Sequence, residues 1–260
     1  MSRPRAGYIG FNRAPAGAES APGVWTLREA EAARRAGTWP DLQDPYFSNV
    51  SLLLHMDGTG STFTDTSGTP KTISALGNAT QSTAQSKWGG KSLYLDGTSG
   101  TYLSVAASSS LAMSGDFVIE AWLYPLSASS NAMPIYEMRT SASNTSGLAL
   151  LRYPNANTLN VYSNGFLGSS SSSLTPNQWQ HVALVRSGST VTYYIGGQSA
   201  GSLTNSSNFN NYTGGAKIGG STSSGEVWVG YIDDFRLTVG STRGYTGSTI
   251  TVPTAAFPDA

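Results

Sequence analysis

From Val50 to Val239 the chain is a succession of short runs rich in Val, Ile, Leu, Tyr, Phe and Trp, each closed by Ser, Gly or Asn. No run carries the i, i+3, i+4 spacing of an amphipathic helix. None approaches the ~18–20 apolar residues a membrane-spanning helix needs. Runs of this length and make-up bury their side chains only as strands. The candidates are Val50–Met56, Ser92–Asp96, Tyr102–Val105, Phe117–Tyr124, Pro134–Arg139, Leu148–Tyr153, Thr158–Tyr162, Gln178–Arg186, Thr190–Ile195, Ala216–Gly219 and Val227–Val239. Val182-Ala183-Leu184-Val185 is apolar on both faces and belongs to a central strand. Ser187-Gly188-Ser189 is short enough to turn a hairpin, and Ser169–Ser173 reads as a turn. No fixed repeat is visible, which excludes solenoids and propellers. The pattern predicts an all-β fold, an antiparallel two-sheet β-sandwich.

Composition narrows the function classes. Ser (39), Thr (27) and Gly (30) make up 96 of 260 residues, a share that in isolation suggests disorder. The 10% of aromatic residues supplies enough apolar surface to bury a core instead. With no Cys, disulfide frameworks, thiolate metal sites and Cys nucleophiles are excluded. His55 and His181 are the only histidines, too few for a His-rich catalytic metal site. Charged residues are 12% and balance to a net charge of zero, so the chain lacks the basic footprint that nucleic acid or anionic membranes require. The basic start, Met1 to Tyr8, leads into no apolar stretch, so no secretory signal peptide is expected.

Charge divides the chain in two. Residues 1–45 hold 6 Arg and 5 acidic residues, 11 of the 30 charges. The Trp39–Pro45 segment, with Pro40 and Pro45, breaks regular structure and marks a boundary. Thr26-Leu27-Arg28-Glu29 reads as a capping box, with Trp25 and Ala30 placed as its hydrophobic staple. The short helix so begun, about 27–36, stops at Gly37. Too short to be stable alone, it needs a surface on which Trp25, Leu27 and Trp39 can pack. Residues 1–45 are therefore read as a docking arm that folds on a partner, with the basic Arg3, Arg5 and Arg13 meeting an acidic protein surface. Residues 46–260 form the sandwich domain.

Six pieces of that second part occur in the order of a known family. They are Leu52-Leu53-Leu54-His55-Met56-Asp57-Gly58; Phe63-Thr64-Asp65-Thr66-Ser67-Gly68; Trp88-Gly89-Gly90 before Ser92-Leu93-Tyr94-Leu95-Asp96-Gly97; Asp116 to Pro125; Trp179 to Arg186; and Gly230 to Thr238. Together they resemble a laminin-G-like, concanavalin A-like jelly-roll domain from about Val50 to Pro258. The ending, Gly244-Tyr245-Thr246-Gly247 through Phe257-Pro258, is similar to a subset of these domains in virion proteins of phages, especially marine and cyanobacterial ones. Gly23 to Pro40 also resembles a leader of phage structural proteins.

The resemblance implies a structural Ca²⁺ held by Asp65, Asp96, Asp233 and Asp234, with Asp57 a further candidate. The alternative is local: Asp65 caps an Asx-turn at Ser67, while Asp96 and Asp233 brace turns or pair with Arg236. For a glycan, exposed rings and amides are needed. Asn208, Phe209, Asn210, Asn211 and Tyr212 form the richest such cluster, and Tyr162, Asn164 and Phe166 a second. Against these stands ordinary turn chemistry. Related folds include glucanases, which carry acidic residues alternating along one strand. Here Glu120, Glu137 and Glu226 are each isolated in sequence, and His181 reads as a central-strand residue bonded to neighbouring backbone.

The resemblance therefore implies a non-enzymatic phage virion protein on the virion surface. Residues 1–45 anchor it to a major capsid or tail protein, and a homo-oligomer displays the sandwich. Capsid decoration is favoured over tail or fibre adhesion to a host glycan, because the arm lacks trimerising repeats. The alternative is a free carbohydrate-binding lectin.

Overall fold

The computed structural model describes residues 43–126, 131–141, 143–144, 146–153, 155–223 and 225–260. Arg3, Arg5, Arg13, Trp25, Leu27, Trp39 and the expected helix at 27–36 lie outside these residues. Two compact units divide the chain: Met1–Ser48 with Pro258–Ala260, and Asn49–Phe257. In the first, the Asp44 amide donates to the Ala260 carbonyl and the Phe47 amide to the Asp44 carbonyl. The second is the sandwich.

One sheet has eight strands: β1 (Val50–Leu54), β3 (Thr80–Ser82), β4 (Ser92–Asp96), β6 (Phe117–Pro125), β11 (Gln180–Ser187), β12 (Thr190–Ile195), β13 (Gln198–Thr204) and β15 (Val229–Val239). Their order is β13-β12-β11-β6-β15-β4-β3, with β1 also paired to β15. The other has seven: β2 (Ile73–Leu76), β5 (Tyr102–Val105), β7 (Met133–Glu137), β8 (Ala149–Tyr153), β9 (Thr158–Ser163), β10 (Gly165–Ser173) and β14 (Ala216–Ile218). Their order is β10-β9-β8-β7-β14-β5-β2. All pairs are antiparallel. The predicted all-β sandwich is the observed fold.

Every expected strand is present, and four appear that the apolar pattern did not mark: β2, β3, β10 and β13. Ser169–Ser173, expected as a turn, lies in β10 and pairs with β9. Its serines hold the strand by hydroxyl chemistry rather than packing. Ser170 is buried, where its Oγ accepts from the Leu159 amide and donates to the Ser172 carbonyl. The hairpin at Ser187-Gly188-Ser189 forms as expected, with Ser187 facing Thr190.

The core lies between the sheets. Leu93 and Leu95 of β4, Phe117, Ile119, Ala121 and Leu123 of β6, and Ile232, Phe235 and Leu237 of β15 face it from one side. Leu103, Tyr136, Leu150, Leu159 and Val161 face it from the other. The Tyr136 ring stacks on Phe235 across the layers, centroids 5.9 Å apart. At ~25 cal/mol per Å², each such side chain contributes roughly 1.5–3 kcal/mol.

β15 is the spine. One of its edges pairs with β6 along most of its length. The opposite edge pairs first with β4, through Val229–Ile232, and then with β1, through Phe235–Thr238. The handover falls at Asp233-Asp234, where the β6 register slips between Asp233 and Arg236 and Asp234 takes φ 48°. That left-handed conformation is one Asp tolerates better than most residues.

After β15 the chain folds back over the outer face of the eight-stranded sheet. Ile250 donates its amide to the Gly197 carbonyl, the Ser248 carbonyl accepts from the Ser199 amide, and Tyr194 Oη donates to the Gly247 carbonyl. Tyr245 and Ile250 pack on Val118, Ala183, Val185 and Tyr194. Phe257 is buried, and the Arg236 guanidinium lies 3.7 Å from its ring centroid.

Candidate functional site

The four carboxylates proposed for calcium do not converge. Asp65 is buried and spends its oxygens on backbone: Oδ1 accepts from the Leu53 and Ser67 amides, Oδ2 from the Lys71 amide. The Asx-turn alternative is the observed one. Asp96 accepts from the Thr98 amide and the Asn78 side chain, bracing a turn. Asp233 and Asp234 are both buried and hold different segments. Asp233 Oδ2 accepts from the Lys87 and Trp88 amides. Asp234 Oδ1 lies 2.6 Å from His55 Nδ1, and its Oδ2 accepts from the Phe257 amide. Among the described residues no group of three or more His, Asp or Glu side chains is arranged to hold a metal. The donor set does not fit the calcium that the resemblance implies.

Asp233 departs clearly from ordinary carboxylate behaviour. Burial raises its carboxyl to about 7, helped by Asp234 and Asp57 and opposed by the Trp88 and Lys87 amides. Its Oδ1 is buried with no hydrogen-bond partner.

The Asn208–Tyr212 cluster is a correction. Phe209 is fully buried, its backbone bridging Met113 and its ring edge-on to Phe117 at 6.2 Å. It plugs the core and offers no face to a sugar. Asn211 donates its side-chain amide to the Met138 carbonyl, and Tyr212 packs against the core. Asn208 and Asn210 are exposed without a ring between them. An aromatic flanked by Asn reads the same in sequence whichever way the ring points.

The second cluster faces outward. Phe166 on β10 is 56% exposed. It sits opposite Tyr162 of β9, ring centroids 5.4 Å apart and edge to face. Tyr162 in turn pairs with Ala149, so both rings lie on the outer face of the seven-stranded sheet. Next along this face stands Arg139, its guanidinium 5.8 Å from the Tyr162 ring centroid and in a two-pronged ion pair with Glu137. Ser221 Oγ also donates to Glu137. Burial pushes the Glu137 carboxyl up, against Arg139 and Ser221, which pull it down. Lys217 lies opposite Glu137, with its ammonium 5.1 Å from the Tyr102 ring centroid. Tyr153, 41% exposed, is opposite Thr158 on the same face. The face thus carries exposed rings, whereas the Arg139–Glu137 pair beside them is buried, with Glu137 1% and Arg139 7% exposed. The rings offer flat apolar surface on which the C–H face of a ligand can stack.

Two arrangements on the opposite sheet were not legible as such. Glu120 is buried and linked to Arg236, His181 and Tyr245. It is locked as a structural anion, and His181 bonds it rather than backbone. Tyr94, Tyr231 and Tyr124 stand opposite one another on three adjacent strands. With Trp179 they form a row with centroid spacings of 5.0, 5.8 and 5.5 Å. The register that aligns them is set by strand pairing, which local sequence does not display.

Comparison with known proteins places this geometry. Residues 96–239 match the family model described as the concanavalin A-like lectin/glucanases superfamily. Curated protein sequences returned no match. Domain 4 of AbnA, an extracellular GH43 arabinanase from Geobacillus stearothermophilus solved with arabinotriose, aligns with a TM-score of 0.57 and 18% identity, over 74% of this chain and 93% of that one. The binding domain of Paraclostridial Mosquitocidal Protein 1 aligns at 0.55 and 14%, over 74% and 49%. A botulinum neurotoxin type C structure, whose cell entry depends on two ganglioside molecules, aligns at 0.54 and 17%, over 74% and 48%. The chain spans about half the length of these toxin domains. At these identities the likeness is one of fold.

Proposed function

The chain belongs to the concanavalin A-like lectin/glucanases superfamily, and on that premise we propose that it is a non-enzymatic glycan-binding sandwich borne on a phage virion. The observation that carries glycan binding is the exposed Phe166 ring beside Tyr162, next to the Arg139–Glu137 pair. A sugar stacks its C–H face on such a ring, and the buried Arg139–Glu137 pair holds the strand ends beneath it in place. That the solved neighbours include an arabinotriose complex and a ganglioside-dependent toxin supports the reading. A non-enzymatic role is supported by the state of the carboxylates. Glu120 is buried against Arg236, and Glu137 is held by Arg139, so neither is poised for proton transfer.

The virion setting rests on the sequence resemblance of the Gly23–Pro40 and Gly244–Pro258 segments. In this reading residues 1–45 anchor the protein to a capsid or tail protein, and several copies present the sandwich to a host surface glycan.

Two experiments test the two halves. A glycan array probed with the full chain and with Phe166→Ala should show binding that the variant loses. Equal binding by both moves the site off this face, and no binding by either sinks the glycan reading. Electron microscopy of phage particles labelled with an antibody against residues 46–260 should place the protein on head or tail, and deleting residues 1–45 should remove it. Absence of label from every particle, with glycan binding intact, would leave a free lectin.

A further inference from the structure

A separate cavity of about 200 Å³ lies at the end of β1. Beyond Leu54 the chain turns at Met56, with φ 63°. The Asp65 carboxylate then ties the following loop back to the Leu53 amide, and the Thr66 amide donates to the Leu53 carbonyl. The arch so formed is closed by Gln81 of β3, whose backbone amide donates to the Gly60 carbonyl and whose side-chain Nε2 donates to the Thr62 carbonyl.

Leu54 and Phe63 give the cavity apolar walls, both buried. Its polar lining is His55, Asp57, Thr66 and Gln81, among others. Two of these hold atoms the fold leaves unused: Thr66 Oγ1 and Gln81 Oε1 are buried without a hydrogen-bond partner. Burying such atoms costs about 1–3 kcal/mol each unless something binds them. Asp57 and Gly58 are exposed and form the mouth. The Asp57 carboxylate is pinned against Gly89, where a Cβ would fall 1.8 Å from Oδ2. His55 is oriented by Asp234: an ionised carboxylate only accepts, so the 2.6 Å contact places the ring proton on Nδ1.

Volume and donor chemistry restrict the occupant. About 200 Å³ is below the ~300–1,000 Å³ that drug-sized ligands fill and several times the ~30 Å³ share of a water. Gln81 Oε1 and an ionised Asp57 accept only, whereas the Thr66 hydroxyl also donates. An ammonium can donate to all three, but it leaves the apolar Leu54 and Phe63 walls and most of the volume unfilled, whereas a sugar ring bonds the polar groups through its hydroxyls and sets its C–H face on those walls. We propose that this cavity is a second sugar subsite, which takes the single terminal ring of a neutral glycan through Asp57, Thr66 and Gln81 against the Phe63 wall. The inference rests on the glycan-binding reading and adds to it a pocket on the other sheet's side of the molecule, apart from Phe166.

Saturation-transfer difference NMR of the full chain with the methyl glycosides of glucose, galactose, mannose and N-acetylglucosamine tests it. Thr66→Val removes a hydroxyl that bonds nothing in the unliganded fold, so its melting temperature should equal or exceed that of the wild type. Its affinity for the preferred glycoside should fall about tenfold, the value of one lost hydrogen bond. Gln81→Met should weaken the same glycoside. If Thr66→Val and Gln81→Met bind every glycoside as wild type while Phe166→Ala abolishes binding, the pocket inference fails and the glycan reading stands. If no methyl glycoside and no arrayed glycan binds, both fail together. Binding of methylammonium in preference to every glycoside overturns the sugar assignment alone.

Discussion

Glu120 and Arg236 face each other across β6 and β15, with Glu120 Oε1 3.0 Å from Arg236 Nε and 2.8 Å from Nη2. Both are buried, and the pair forms the centre of a network that includes His181, Tyr245 and Arg243. Burial alone would raise the Glu120 carboxyl. Arg236, the His181 hydrogen bond and Arg243 outweigh it and bring the group down to about 2.

The sign of the resulting pH dependence follows. The folded value lies below the ordinary 4.5, so this contribution is fully present above pH ~4.5 and is lost as pH falls from there towards 2. Urea midpoints should decline over that window. In Glu120→Gln the decline should flatten, while stability at neutral pH drops by about 3–5 kcal/mol because the arginines stay buried without their anion. An unchanged acid slope in the variant would assign acid lability to other carboxylates.

Asp233 acts in the opposite sense. Its folded value, about 7, lies above the ordinary 3.8, so the folded state holds the proton more tightly. Stability linked to this group is greatest below pH ~4 and erodes as pH rises through 7. Asp233→Asn keeps an oxygen for the Lys87 and Trp88 amides and abolishes the titration. The variant should gain on the wild type between pH 4 and 8, by an amount on the order of a few kcal/mol. Thermal melts across that range check it, and parallel curves would contradict it.

The two phenylalanines should respond in opposite ways. Phe209→Ala empties a fully buried site and should cost about 3–5 kcal/mol, leaving glycan binding per folded molecule unchanged. Phe166→Ala removes an exposed ring and should shift stability by no more than ~0.5 kcal/mol while binding is lost. Chemical denaturation beside array binding separates the two effects.

Gly230 is the second residue of β15 and has φ 131°. A Cβ there would come within 2.3 Å of the Tyr124 carbonyl oxygen and 2.9 Å of the Leu126 amide. Both contacts are backbone of the neighbouring segment and cannot swing aside. Gly230→Ala should therefore destabilise by more than ~2 kcal/mol, seen as a fall in the denaturant midpoint. A wild-type midpoint would show that the two strands can separate there at little cost.

Strand segments were legible wherever burial is recorded as apolar residues. β6 and β15 are long runs buried on both faces, and their side chains announce it. β10 and β13 are edge strands rich in Ser and Gly, each paired with the strand just before it, and their short polar side chains carry no apolar signal. Site residues were harder to read, because exposure is a property of register. Phe166 and Phe209 both sit near Asn and Gly in sequence, yet one stands in solvent and the other under Phe117. Asp233 and Asp234 were legible as an uneasy pair needing partners. Which partners they found, two amides of a loop and a histidine just past β1, was set by the handover in β15.

That handover also orders events in time. β1 leaves the ribosome first among the strands, yet its partner is the last strand to be made, with Leu53 opposite Arg236. Until Val229–Val239 emerges, β1, β4 and β6 each present an open hydrogen-bonding edge. Pairings this distant in sequence are slow to close. The nascent chain must therefore be kept apart from its neighbours until Val229–Val239 has been made, and its demand for chaperones is greatest while β1, β4 and β6 wait for that strand.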